Sequence, residues 1–69
     1  MLFKDILPFL KEGKFVTRKQ MDWVYNDERI RLNGYKIELY DKHGYVSDKI
    51  LWRDDLDADD WELYDDVEG

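Results

Sequence analysis

The chain has 69 residues, no cysteine, and seventeen acidic against eleven basic side chains, for a net charge of −6. That length supports one domain with a small core, and the lack of cysteine excludes a disulfide framework, a thiolate zinc site and a cysteine nucleophile. No apolar run approaches the roughly 20 residues that span a bilayer, so a cytoplasmic protein is expected, without a membrane partner.

Residues 3–12 place Phe3, Ile6, Leu7, Phe9 and Leu10 at near-helical spacing, with Lys4, Asp5, Lys11 and Glu12 opposite, which predicts a short amphipathic helix. Gly13 supplies its left-handed C-terminal residue, and Pro8 predicts a kink or an irregular first turn. Short strands are expected over 14–17 and 22–25. The strongest local signal is Arg29-Ile30-Arg31-Leu32-Asn33-Gly34-Tyr35-Lys36-Ile37-Glu38-Leu39-Tyr40, because Asn-Gly between alternating runs specifies a two-residue hairpin. With Asn33 and Gly34 as the loop, Leu32 faces Tyr35, Arg31 faces Lys36, Ile30 faces Ile37 and Arg29 faces Glu38. Ile30, Leu32, Tyr35, Ile37 and Leu39 then share an apolar face, and Arg29, Arg31, Lys36 and Glu38 share the other.

Asp41-Lys42-His43-Gly44 reads as a second turn, with Gly44 at the position of positive φ, and 45–52 as a returning strand. Residues 54–60 read as a turn or a single helical turn, and 61–64 as a closing strand before a polar tail. The expected fold is α+β: a short N-terminal helix packed on a small antiparallel β-sheet meander, one domain over 1–69 with an acidic C-terminal segment, 54–69.

Charge is unevenly placed. Residues 1–53 hold eleven bases and eight acids, whereas 54–69 hold nine acids and no base. An anionic ligand therefore belongs to the first three quarters of the chain, and direct nucleic-acid binding is not expected. Arg31 opposite Lys36, with Arg29 two residues along, forms a basic cluster suited to phosphate; its competing reading is neutralisation by Glu38 and the acidic tail. Eleven aromatic side chains exceed what so small a core covers, which predicts a homo-oligomer, dimer or tetramer, or a stacking pocket.

Asp55, Asp57 and Asp59 match the first ligand positions of a calcium loop, but Asp60 stands where the tight turn needs glycine and Asp66 where it needs glutamate, so no metal is expected. His43 is the lone histidine, in a turn, with no cysteine and few hydroxyls to activate. The chain is read as non-enzymatic, with no cofactor. The acidic segment offers a different function, a protein-binding inhibitor that mimics a nucleic-acid backbone.

Both ends resemble one family. Phe3-Lys4-Asp5-Ile6-Leu7-Pro8-Phe9-Leu10-Lys11-Glu12-Gly13-Lys14-Phe15-Val16-Thr17-Arg18 is similar to the opening of the phage Thoeris anti-defence family of the second type. Trp52 followed by Asp55-Leu56-Asp57-Ala58-Asp59-Asp60-Trp61-Glu62 is similar to its tryptophan and Asp-Leu-x-Ala-x-Asp-Trp-Glu segment. Where that family has Arg-x-Gly-Trp, this chain has Arg18-Lys19-Gln20-Met21, and its middle is shorter. The resemblance implies a homo-oligomeric sponge protein that sequesters a nucleotide second messenger without cleaving it: a cyclic ADP-ribose isomer or, in some members, a cyclic oligonucleotide. An anti-CRISPR activity also occurs among relatives. Basic residues for phosphate and rings for stacking meet that requirement, and Arg18, Trp23, Arg29, Arg31 and Lys36 are the ligand candidates. Trp52, Leu56 and Trp61 are assigned to the core or to subunit contacts.

Overall fold

The computed structural model of the chain describes residues 1–64. In chain order it contains α1 (Phe3–Lys11), β1 (Val16–Arg18), α2 (Met21–Tyr25), β2 (Arg29–Asn33), β3 (Lys36–Tyr40), β4 (Val46–Asp48), α3 (Arg53–Asp57) and β5 (Trp61–Leu63). The strands form one antiparallel sheet in the order β4-β3-β2-β1-β5. The expected α+β class, N-terminal helix on antiparallel sheet, is what the chain adopts. Of the acidic segment and its polar tail, residues 65–69 lie outside the described residues.

α1 runs through Pro8 without interruption and ends on Gly13 at φ +89°. The Gly13 N–H bonds the Leu10 carbonyl and the Lys14 N–H bonds the Phe9 carbonyl, a Schellman closure that satisfies the last turn. Ile6 and Leu10 point onto the sheet and are fully buried with Val16, Trp23, Ile30 and Trp61. Each such aliphatic side chain contributes about 1.5–3 kcal/mol by leaving water. The Trp23 and Trp61 rings meet edge to face at 5.5 Å, and Phe3 meets Trp61 at 5.4 Å, so three of the surplus rings are absorbed by one small core.

Four sequence expectations change. Residues 21–25 form a helix, not a strand: the turn lets Trp23 reach Trp61 while Met21, Val24 and Tyr25 stay exposed. The hairpin loop is Gly34-Tyr35, one residue later than expected, with Asn33↔Lys36, Leu32↔Ile37, Arg31↔Glu38, Ile30↔Leu39 and Arg29↔Tyr40 as partners. Positive φ at Gly34 (+67°) but not at Tyr35 is the pattern of a type II′ turn, which places glycine first. Tyr35 therefore sits at the tip, 92% exposed, and leaves the apolar face. The returning strand covers only Val46–Asp48, and Trp52 and Leu56, expected in the core or at a subunit contact, are exposed in the protomer.

Register fixes the two faces of the sheet. Leu63, Val16, Ile30 and Leu39 lie in one row, with Trp61, Leu32 and Ile37 on the same side. This inner face meets α1, and Trp23 of α2 and the α3 backbone reach it through Trp61. The outer face carries Thr17, Arg29, Tyr40 and Val46 in one row and Arg31, Glu38 and Asp48 in the next. Phe15 and Tyr64 continue the second row beyond β2, joined by the Tyr64 N–H to the Phe15 carbonyl at 3.0 Å. Among the described residues no helix covers it.

Candidate ligand-binding face

Arg18 ends β1 on the inner side, where its fork closes the joint between β1, α3 and β5. Its Nε donates to Asp60 Oδ1 at 2.8 Å, its NH1 to Asp55 Oδ1 at 2.9 Å and to Gln20 Oε1 at 2.9 Å. The hydrogen bond donated to Asp60, helped by that to Asp55 and opposed by burial, raises the guanidinium pKa above its ordinary value. Asp55 is itself buried; its other oxygen accepts the Trp52 N–H at 3.0 Å, closing the first turn of α3, and its carbonyl accepts the Trp61 indole N–H at 2.8 Å. Arg18 is thus held by protein carboxylates. Trp23 lies in the core at 4% exposure, one edge lining a pocket. Asp55 turns inward to Arg18, away from the calcium arrangement its spacing suggested.

The remaining three candidates share the outer face. Arg29 stands among three rings, its Cζ 4.9 Å from the Tyr64 centroid and 5.8 Å from those of Phe15 and Tyr40. Its NH1 donates to the Asp27 carbonyl at 2.9 Å, and its buried Nε has no partner among the described residues. Asp27 adopts φ +52°, a left-handed conformation that aspartate tolerates better than most residues, and its carboxylate takes both the Tyr64 hydroxyl (2.9 Å) and Arg29 NH1 (3.3 Å).

Arg31 lies over Phe15 (5.7 Å) and Tyr40 (5.6 Å) with its side chain 39% exposed, and reaches Glu38 only at 3.5 Å. Asn33 and Tyr40 also donate to Glu38, and these bonds, Asn33 first and Arg31 after, hold its carboxyl below the ordinary carboxylate range against some desolvation. Lys36 is exposed and diagonal to Arg31, not opposite it. The expected Arg31–Lys36 repulsion is replaced by an Arg31–Glu38 cross-strand pair, because the loop moved by one residue. Diagonal positions on a sheet are about 7–8 Å apart, still within joint reach of one phosphate.

A pocket of about 410 Å³ adjoins this face where α2 and the following turn meet β1 and β5, walled by Thr17, Trp23, Val24, Glu28, Glu62 and Tyr64 among others. Thr17 Oγ1 donates to the Glu28 carbonyl at 2.6 Å. Burial pushes the Glu28 carboxyl up, Asp22 and Asp41 add to the shift, and Lys49 opposes it.

Phe15, Tyr40, Thr17 and Tyr64 are the outer-face residues that the sequence reading did not single out. Their signal was present as parity: Phe15 and Thr17 alternate with buried Val16, and Tyr40 with Leu39. No family model, curated protein or solved structure matches the chain. The residues that carry the resemblance have a structural role of their own, since Arg18, Asp55, Asp60 and Trp61 build the joint that ties the first strand to the last.

Proposed function

We propose that the chain is a non-catalytic capture protein that holds a nucleotide signal, a cyclic ADP-ribose isomer or a cyclic oligonucleotide, on its outer sheet face, and that it serves a phage against a nucleotide-signalled host defence. The supporting observation is Arg31, half-exposed above the Phe15 and Tyr40 rings, with Lys36 diagonal to it on a face that no described helix covers. Arg31 offers a planar fork to a phosphate, Lys36 a second charge, and the rings a surface for a base. The long 3.5 Å contact to Glu38 is the one a phosphate would replace. The resemblance of the chain's two ends to the Thoeris anti-defence family supports the same reading.

Calorimetry with cyclic ADP-ribose isomers and cyclic dinucleotides tests it. Binding should weaken with salt, and Arg31→Ala or Lys36→Ala should each lower affinity by roughly one to two orders of magnitude, about 1.4–2.8 kcal/mol. Ligand released by denaturation should be chemically unchanged. Binding indifferent to both substitutions, or none to any nucleotide, would overturn the proposal. A second reading, an acidic inhibitor of a defence nuclease, is favoured by the exposure of Asp54, Asp57 and Asp59 around α3. Replacing those three with asparagine should abolish inhibition under that reading and leave nucleotide capture intact under the first.

A further inference from the structure

The tip of the β2–β3 hairpin joins an amide side chain to a glycine nitrogen. Asn33 and Gly34 are both exposed, and apart from the chain neighbours no atom lies within 4 Å of where a Gly34 Cβ would stand. Glycine lets the Asn33 side chain close on the next backbone nitrogen, because no Cβ crowds the approach. That nitrogen lies outside the strand ladder, and its N–H meets no acceptor among the described residues. Asn33 Nδ2 donates to Glu38 Oε2 at 3.1 Å, and Asn33 stands directly opposite Lys36 on the outer face. The chain's other asparagine, Asn26, precedes Asp27 and donates to the Asp22 carbonyl at 3.0 Å.

We propose that Asn33 is a site of spontaneous deamidation, and that the carboxylate formed there draws Lys36 away from the ligand face, so that capture of an anion declines as the protein ages. The Gly34 nitrogen gives up its proton and bonds to Asn33 Cγ; the Cγ–Nδ2 bond breaks, and the amide nitrogen leaves as ammonia with that proton. Water then opens the succinimide ring. Breaking the bond from the Gly34 nitrogen to Cγ restores the backbone with an aspartate side chain, and breaking the bond to the backbone carbonyl carbon routes the backbone through Cγ as isoaspartate. Water is the sole co-reactant. The bond to Glu38 tethers the amide that must leave, so the reaction proceeds from an opened hairpin tip, where opening costs little. A carboxylate opposite Lys36 completes a cross-strand ion pair, which occupies the second charge of the face. It also stands beside Glu38, which loses the amide that does most to hold its carboxyl low. The effect on capture rests on the proposed function; the reaction at Asn33 does not.

The experiment incubates the full chain for days in mildly alkaline buffer at physiological temperature and maps the products by peptide mass spectrometry, with Asn26 as the internal control. Position 33 should convert well ahead of Asn26 and should yield isoaspartate as well as aspartate, since only the ring intermediate gives the former. In parallel, calorimetry compares the parent with Asn33→Asp for a cyclic dinucleotide. The variant should bind about threefold to tenfold more weakly at low salt, the gap closing as salt rises. Conversion of Asn33 no faster than that of Asn26, or conversion without isoaspartate, overturns the site. An Asn33→Asp protein that binds as tightly as the parent overturns the effect on the face. A parent that binds no nucleotide removes the proposed function and this effect together, whereas the peptide map of the unaltered chain still decides the reaction at Asn33.

Discussion

Replacing Arg18 with methionine tests whether the joint between the first strand and the last holds the fold together. The substitution keeps an unbranched stem of similar reach and removes four donated bonds, two of them to Asp60 and one each to Asp55 and Gln20. Asp60 and Gln20 are open enough to water to be rehydrated, so their share is small. Asp55 is not: its side chain is 8% exposed, and without Arg18 its charge has, among the described residues, the Trp52 N–H and Lys49 at 4.0 Å. Breaking a buried pair from one side costs about 3–5 kcal/mol, and the two remaining partners argue for about 3. A chain of this size is stable by roughly 3–10 kcal/mol in all, so Arg18→Met should lie near the edge of folding, with Tm lowered by about 10–20 °C. Asp55→Asn keeps the acceptor for Trp52 and should cost less, about 1–2 kcal/mol. Combined, the two should cost less than their sum by about 1 kcal/mol or more, since the second removes the charge that the first strands. Urea unfolding followed by tryptophan fluorescence measures all three. An Arg18→Met protein within about 0.5 kcal/mol of the parent, or strict additivity, would refute the reasoning.

Trp61→Phe removes the indole donor to the buried Asp55 carbonyl and part of the Trp23 contact, and should cost about 2–4 kcal/mol in urea unfolding. Gly34→Ala meets no atom within 4 Å, so its cost is the left-handed backbone alone, about 1–2 kcal/mol, and Gly34→Asn should recover much of it. The two shifted carboxyls give opposite slopes of stability with pH. Glu28, raised in the folded state, makes the fold lose stability as pH climbs from its unfolded toward its folded pKa, so Glu28→Gln should raise Tm at neutral pH and remove that loss. Glu38, lowered, contributes stability present above its unfolded pKa and lost as pH falls through its folded one; Glu38→Gln should lower Tm at neutral pH and flatten the acid limb.

Local chemistry made much of the fold legible. The 3.6-residue spacing of Ile6 and Leu10 and the glycine after them defined α1, and Trp61 and Leu63 alternated as a strand should. The region that misled was 21–25, where Trp23, Val24 and Tyr25 carry β-prone side chains; tertiary packing of one indole against Trp61 outweighed that preference. The hairpin misled in a narrower way. Asn-Gly favours a type I′ loop at 33–34, and the chain instead closes Asn33 against Lys36, which sets Leu32 on Ile37 and Arg31 on Glu38. Moving the loop by one residue shifts each partner by two, so the faces survive and only the neighbours change. That is why Arg29, Arg31 and Lys36 were placed together, whereas the pairing that made them a repulsive cluster was not. Arg18 could not be assigned from the sequence because its partners, Asp55 and Asp60, lie some forty residues away.

Under the proposed function, the separation of joint from face bears on how ligand choice would be encoded. Arg18, Asp55, Asp60 and Trp61 come from the segments that resemble a known family, and their bonds are made mainly to each other and to backbone, with Gln20 and Lys49 at the margin. The outer face draws instead on the middle of the chain: Arg29, Arg31, Lys36, Glu38 and Tyr40, with Phe15 and Tyr64 as the rim. Under the proposed function, changes in the middle can therefore leave the scaffold intact while altering the residues presented to a ligand. Glu38 is the sharpest instance, because its carboxylate stands at 3.5 Å from the Arg31 Nε, beside the fork that a phosphate would use. Under the proposed function, the strength of that internal pair sets the threshold an anionic ligand must exceed, and Glu38, not the family motif, governs which phosphates are held.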